Sequence, residues 1–131
     1  MQKMTFYFEK YDKKSKQMYM RTRVDVSLDQ DLKVAKFDVD LDSLPTVYLD
    51  GYEVVPTFTA KNFDNNQTFW TDSNGLDMQK RILNYRSYYN FTVVIDEMHQ
   101  NITGNYYPIN SAISLKEVGS LRQFTVMNDR A

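Results

Sequence analysis

Residues 17–28 alternate between two kinds of side chain without a break. Met18, Met20, Thr22, Val24, Val26 and Leu28 fall on one side, and Gln17, Tyr19, Arg21, Arg23, Asp25 and Ser27 on the other. Successive side chains of a strand point to opposite faces, so this period of two predicts a long strand with one apolar and one wet face. Such strands belong to antiparallel sheets. Met4, Phe6 and Phe8 alternate with Thr5, Tyr7 and Glu9 in the same way, and the charged residues 10–16 read as the turn between the two. A second turn at residues 29–31 leads to residues 32–41, with Ala35, Phe37, Val39 and Leu41 inward and Lys36, Asp38 and Asp40 outward. Leu32 and Val34 lie on the opposite phase, which predicts a bulge near Val34-Ala35.

The pattern continues to the end of the chain. Residues 42–51 form a loop around Pro45, and residues 53–60 read as a strand broken by Pro56, hence at an edge or bulged. After the polar residues 61–67, residues 68–71 read as a strand and Asp72-Ser73-Asn74-Gly75 as a tight turn, because Asn and Gly both tolerate positive φ. Residues 76–85 are the return strand, with a short helix as the competing reading. An aromatic and β-branched run follows at 88–98, and residues 99–104 are loop. Tyr106-Tyr107-Pro108 opens an extended segment, and residues 112–116 and 121–127 close the chain as a hairpin around Gly119. No repeat and no linker interrupts this order. The expectation is an all-β, antiparallel β-sandwich, with residues 1–131 as a single domain.

Composition removes several functions. Sixteen Lys and Arg against seventeen Asp and Glu leave a net charge of −1, with no cation excess for binding nucleic acid. No apolar run approaches the ~20 residues of a membrane span. Met1-Gln2-Lys3-Met4 does not open an apolar signal stretch, so the expectation is a cytosolic protein or a piece of a longer one. With no cysteine there is no disulfide framework, thiol nucleophile or cysteine-based zinc motif, and His99 is the only imidazole. A self-contained catalytic site is therefore hard to assemble. Ten Tyr and eight Phe against one Trp fit a strand-rich chain.

Individual clusters point mostly to structure. Asp38, Asp40 and Asp42 share a strand face, where carboxylates can hold a divalent cation but more commonly meet solvent. Asp72-Ser73-Asn74 resembles the start of a calcium loop without its later acidic ligand, and turn chemistry explains it better. His99 reads as a surface histidine. Arg81 and Arg86 flank Tyr85 and could meet a sugar hydroxyl or a carboxylate, or simply point outward from a strand. Trp70 beside Phe69 is either core or a sugar-stacking platform. Sequons at Asn66, Asn90 and Asn101 are candidate glycosylation sites and suggest passage through the secretory route, which an internal fragment reconciles with the N-terminus.

Longer blocks carry a resemblance. Phe69-Trp70-Thr71-Asp72-Ser73-Asn74-Gly75-Leu76-Asp77-Met78-Gln79-Lys80-Arg81, followed by Asn84-Tyr85-Arg86, resembles the F-Y-T-D-S-N-G…R…N-Y-R block of glycoside hydrolase family 38, above all its lysosomal-type α-mannosidases. Gly104-Asn105-Tyr106-Tyr107-Pro108-Ile109-Asn110-Ser111 resembles the G-N-Y-Y-P-V-N-S/T segment of that family. Phe124-Thr125-Val126-Met127-Asn128-Asp129-Arg130-Ala131 resembles L-T-V-L-T-D-R-S, and Glu53-Val54-Val55-Pro56-Thr57-Phe58 resembles E-V-V-T-R-F. Order and spacing agree over about residues 53–131 and loosely over residues 1–52. Trp70 stands where the family has Tyr, Pro56 interrupts its block, and residues 87–100 do not track the family.

The resemblance implies a non-catalytic portion of the large C-terminal β-sandwich of a zinc-dependent, retaining α-mannosidase. The family's zinc is held by two His and two Asp of an N-terminal domain absent from this chain, so no catalytic residue or metal ligand transfers. The implied partners are that catalytic α/β domain and the remaining β segments, with mannose-containing glycans reached through the parent enzyme. Neither nucleic acid nor membrane is implied, and an exposed apolar patch would favour self-association. The implied location is lysosomal, vacuolar or secreted. Candidate interdomain or cleft-wall residues are Trp70, Asp72, Asn74, Arg81, Tyr85, Arg86, Asn105, Tyr106 and Tyr107. The alternative is a free-standing carbohydrate- or protein-binding β module.

Overall fold

The structure, a computed structural model, describes residues 1–11, 13–14, 16, 18–29, 31–32, 34–42, 54–88 and 105–129. The chain divides into two compact units, Met1–Pro56 and Thr57–Ala131. Each is built on one antiparallel sheet, and no helix occurs among the described residues. The all-β, antiparallel class expected from the alternation is what the chain adopts.

In the first unit β1 (Gln2–Tyr11), β2 (Met18–Asp29) and β3 (Val34–Leu41) form a meander in the order β1-β2-β3. Register follows the alternation: Met4 is opposite Val26, Phe6 opposite Val24, and on the other flank Val26 meets Phe37 and Val24 meets Val39. A one-residue slip would turn every one of these side chains over, so the apolar pattern fixes the pairing. The opposite face is ionic. Lys3 Nζ lies 3.1 Å from Asp25, Arg23 lies 3.2 Å from Asp40, and Thr5 Oγ1 donates to Asp25 at 2.7 Å. The Thr5 hydroxyl, then Lys3, holds the Asp25 carboxyl below the usual range. Exposed pairs of this kind contribute little individually. The apolar face is open as well, with Phe8 58 % and Val39 49 % exposed.

The predicted bulge at Val34-Ala35 does not occur. Val34 pairs with Asp29 and Ala35 with Leu28 in continuous register, while the irregularity lies at Lys10/Tyr11. Leu32 is out of phase because it belongs to the turn, and Val34 takes a place on the ionic face.

In the second unit β4 (Thr68–Ser73), β5 (Asp77–Ile82), β6 (Ala112–Lys116) and β7 (Gln123–Met127) are ordered β5-β4-β6-β7. The return segment after Gly75 is strand, not helix. Asn74 and Gly75 take φ of 51° and 72°, and the Leu76 N–H donates to the Ser73 carbonyl at 3.0 Å, which closes the β4–β5 hairpin. Gly119, at φ 73°, lies between β6 and β7. Glu117 takes a forked contact from Arg122, whose Nη2 also donates to the Asn62 carbonyl at 2.9 Å. That contact ties the β6–β7 loop to the segment before β4. The inner strand β4 is the most enclosed, with Thr71 at 0 % and Asp72 at 4 % exposure. Among the described residues no apolar side chain is fully buried.

Residues 54–60 do not form the predicted strand. Pro56 has no N–H to give a ladder, which removes the bond that would extend one through this segment. The predicted loop over 43–51, Glu53, the run beyond Tyr88, His99, Asn90 and Asn101 lie outside the described residues.

Candidate functional site

β4 and β6 share only two ladder pairs, Trp70 with Ser114 and Thr71 with Ile113. Beyond them the Asp72 side chain continues the union. Its Oδ1 accepts the backbone N–H groups of Asn110, Ser111 and Ala112 at 2.9, 3.1 and 3.2 Å, and its Oδ2 accepts that of Gly75 at 2.9 Å. One carboxylate thus ties the β4–β5 turn to the strand entry 38 to 40 residues later. The Ser111 N–H, with further help from Gly75, Ala112 and Asn110, draws the Asp72 pKa below the ordinary carboxyl value against the opposing effect of burial. A carboxylate satisfied in this manner is fastening the backbone, and the calcium-loop reading of Asp72-Ser73-Asn74 falls away.

The second cluster is centred on Tyr107. Phe69 meets its ring edge-on, with centroids 5.3 Å apart at 78°. The guanidinium carbons of Arg81 and Arg86 lie 4.9 and 4.0 Å from its centroid. Arg81 is oriented by a hydrogen bond from Nε to Thr71 Oγ1 at 3.1 Å. The chain reaches this point by reversing sharply after β5: the Tyr85 N–H donates to the Ile82 carbonyl at 3.2 Å, with Asn84 between them at φ 58°. Asn105 fastens the reversal, accepting the Asn84 N–H at 3.0 Å and donating Nδ2 to Asn84 Oδ1 at 2.8 Å. These contacts leave a cleft of about 370 Å³ whose walls include Lys80, Arg81, Tyr85, Arg86, Tyr88 and Tyr107.

The structure therefore gathers Arg81, Tyr85, Arg86 and Tyr107 at one cleft, with Asn105 bracing the chain reversal beside it, while Asp72 belongs to the separate β4–β6 union. The aromatic shared by the two arginines is Tyr107, which is remote in sequence, rather than Tyr85 between them. Trp70 faces away: it is half-buried on the opposite side of β4, with Lys116 Nζ 5.2 Å from its ring. Asn74 and Tyr106 are exposed, and Asn66 is exposed in the turn before β4. Sequence reasoning missed Asn84, Thr71 and Lys80. An Asn at positive φ is the signal that could have marked Asn84. Asp38 pairs with Lys36 at 3.2 Å and Asp40 with Arg23, so that face is an ion-paired surface. Among the described residues no three His, Asp or Glu are placed to hold a metal ion, and no helix is long and apolar enough to cross a membrane.

The chain is 40 % identical over 81 residues to a lysosomal α-mannosidase of Dictyostelium discoideum, covering 62 % of this chain and 7 % of the relative. It is 47 % identical over 81 residues to a probable α-mannosidase of Arabidopsis thaliana, with the same coverage. An α-mannosidase of Canavalia ensiformis is 35 % identical over 97 residues, 74 % of this chain and 9 % of the relative. Over most of its length, the chain is homologous to the α-mannosidases. The chain spans under a tenth of the length of these curated relatives. No protein-family profile and no solved structure matches it. Its likeness is to one short stretch of long enzymes.

Proposed function

We propose that the chain is a supporting, non-catalytic β segment of a family 38, zinc-dependent, retaining α-mannosidase, which hydrolyses terminal α-mannose from glycans with residues outside this stretch. The observation that carries the reading is the pairing of partial coverage with open apolar surface. The match takes in only 7–9 % of each relative, and both sheets present apolar side chains that the described residues do not fully bury. Exposed apolar faces of this extent ask for further polypeptide, and the catalytic α/β domain and the remaining β segments of the parent would supply it. The described residues do not fit the two-His, two-Asp ligand set of the family's zinc. In this reading the zinc would be held by the parent's other domain. A lysosomal or vacuolar location follows from the reading, and the exposed Asn66 is an accessible place for a glycan.

Calorimetry of the 131-residue chain with neutral mannose oligosaccharides tests the supporting role. The expected result is no saturable heat. Saturable binding with a Kd of roughly 1 μM to 1 mM would replace this reading with that of a free-standing carbohydrate-binding module.

A further inference from the structure

The two edges of the four-stranded sheet differ in kind. At one edge β5 carries Asp77, Lys80 and Arg81, and its Ile82 carbonyl is taken by the Tyr85 N–H at 3.2 Å. Charges and a covering chain reversal keep an edge from pairing with another chain. The edge strands of the first unit are charged as well, with Lys3, Glu9 and Lys10 on β1 and Lys36, Asp38 and Asp40 on β3. At the far edge of the second unit, β7 reads Gln123-Phe124-Thr125-Val126-Met127, without a charge, a proline or a glycine.

The ladder fixes which backbone groups β7 leaves open. Leu115 is opposite Phe124 and Ile113 opposite Val126. The Glu117 N–H donates to the Arg122 carbonyl at 3.0 Å, and the Asn128 N–H to the Ser111 carbonyl at 2.9 Å. Bonded and unbonded residues alternate along an antiparallel pair. Arg122, Phe124, Val126 and Asn128 therefore turn their backbone groups to β6, and Gln123, Thr125 and Met127 turn theirs outward. Those outward groups have no partner among the described residues. Phe124, Thr125 and Val126 are only half-buried, and Met127 is 65 % exposed.

We propose that β7 pairs with β7 of a second copy of this chain, antiparallel about a two-fold axis at Thr125, so that the two sheets continue into one. A second copy is the occupant that the order of residues in β7 fits. In that register Phe124 lies beside the partner's Val126 and Val126 beside the partner's Phe124, an aromatic and β-branched pair on each side of the axis. The two Thr125 residues face each other and exchange N–H···O bonds, as Gln123 does with the partner's Met127. No like charges are brought together, and one surface serves both copies, as a two-fold contact requires. The contact is small, so a Kd of roughly 0.1–1 mM is expected. The inference is independent of the supporting role, which concerns the sheet faces and sugar. An unpaired β7 would leave that role untouched, and mannose binding would leave the pairing untouched.

Amide exchange and cross-linking on the 131-residue chain test it. Exchange at Gln123, Thr125 and Met127 should slow about two- to fivefold between about 10 μM and about 1 mM protein. The Asn128 amide, already bonded to Ser111, should change little. Association through the apolar face of the first unit would not slow these outward amides. The chain has no cysteine, so Gln123→Cys and Met127→Cys chains each carry one thiol, at an exposed position. Mixed in equal amounts in a glutathione redox buffer, they should give the mixed disulfide in about tenfold excess over either homodisulfide, because only the mixed pair brings Cα atoms to about 5.5 Å. A statistical mixture of disulfides, an excess of either homodisulfide, or exchange at the outward amides that does not depend on concentration would overturn the proposal.

Discussion

Asp72 Oδ1 accepts the backbone N–H of Ser111 at 3.1 Å across 39 residues of chain. This bond, with its neighbours at Asn110 and Ala112, joins two sequence blocks that the β4–β6 ladder pairs at only two positions. Asp72→Ala should lower the thermal midpoint by several degrees, because it leaves the N–H groups of Gly75, Asn110, Ser111 and Ala112 without their acceptor. A midpoint equal to that of the parent chain, measured by circular dichroism, would contradict the fastening role.

Protonation should act like that substitution. The Asp72 carboxyl is held below its ordinary value in the folded chain, so its contribution is complete above the unfolded pKa of about 4 and fades as pH falls through the lower folded value. Asp25 and Glu117 are also lowered, by Thr5 and by Arg122 first respectively, and act in the same direction. The thermal midpoint is expected to hold steady between about pH 6 and 5 and to drop below about pH 4. Asp72→Asn should make that acid limb shallower. An acid limb identical in the two proteins would count against the assignment.

Tyr107→Leu removes one edge-on aromatic contact and the ring that Arg81 and Arg86 share. Together these are worth about 2 kcal/mol. Urea unfolding followed through Trp70 fluorescence should show a loss of that size, and a change under about 0.5 kcal/mol would show that the cluster is incidental.

Gly75 is held at φ 72° with no atom within 4 Å of where a Cβ would stand. Gly75→Ala therefore has space but the wrong backbone preference, and should cost about 1 kcal/mol. Gly75→Asn should cost less, since Asn tolerates positive φ. Equal losses for the two variants would point to something other than backbone conformation.

The apolar face of the first unit should make the isolated chain self-associate. Phe8→Lys and Val39→Lys together place charges on that face, where both residues are already exposed. Sedimentation should shift toward monomer in the double variant, and an unaltered distribution would show that the face is not the sticky surface.

The strands were legible because their signal is local. Val24 and Val26 declare a face by alternation alone, and Asn74-Gly75 declares a turn by its φ preference. Leu32 and Val34 misled because alternation cannot separate a bulge from a turn residue. Pro56 marked residues 54–60 as an edge, and its missing N–H proved enough to leave no strand there. The cleft was half legible. Arg81 and Arg86 were identifiable, but their shared ring, Tyr107, is brought in by the Asn84–Asn105 brace, and such a long-range contact leaves no periodic trace.

The most direct test of the supporting role is hydrolysis of a chromogenic α-mannoside by the purified 131-residue chain with zinc added, beside a full-length α-mannosidase at equal concentration. The account predicts release from the full-length enzyme alone. Zinc-dependent turnover by the chain itself, above the buffer rate and lost on chelation, would contradict it.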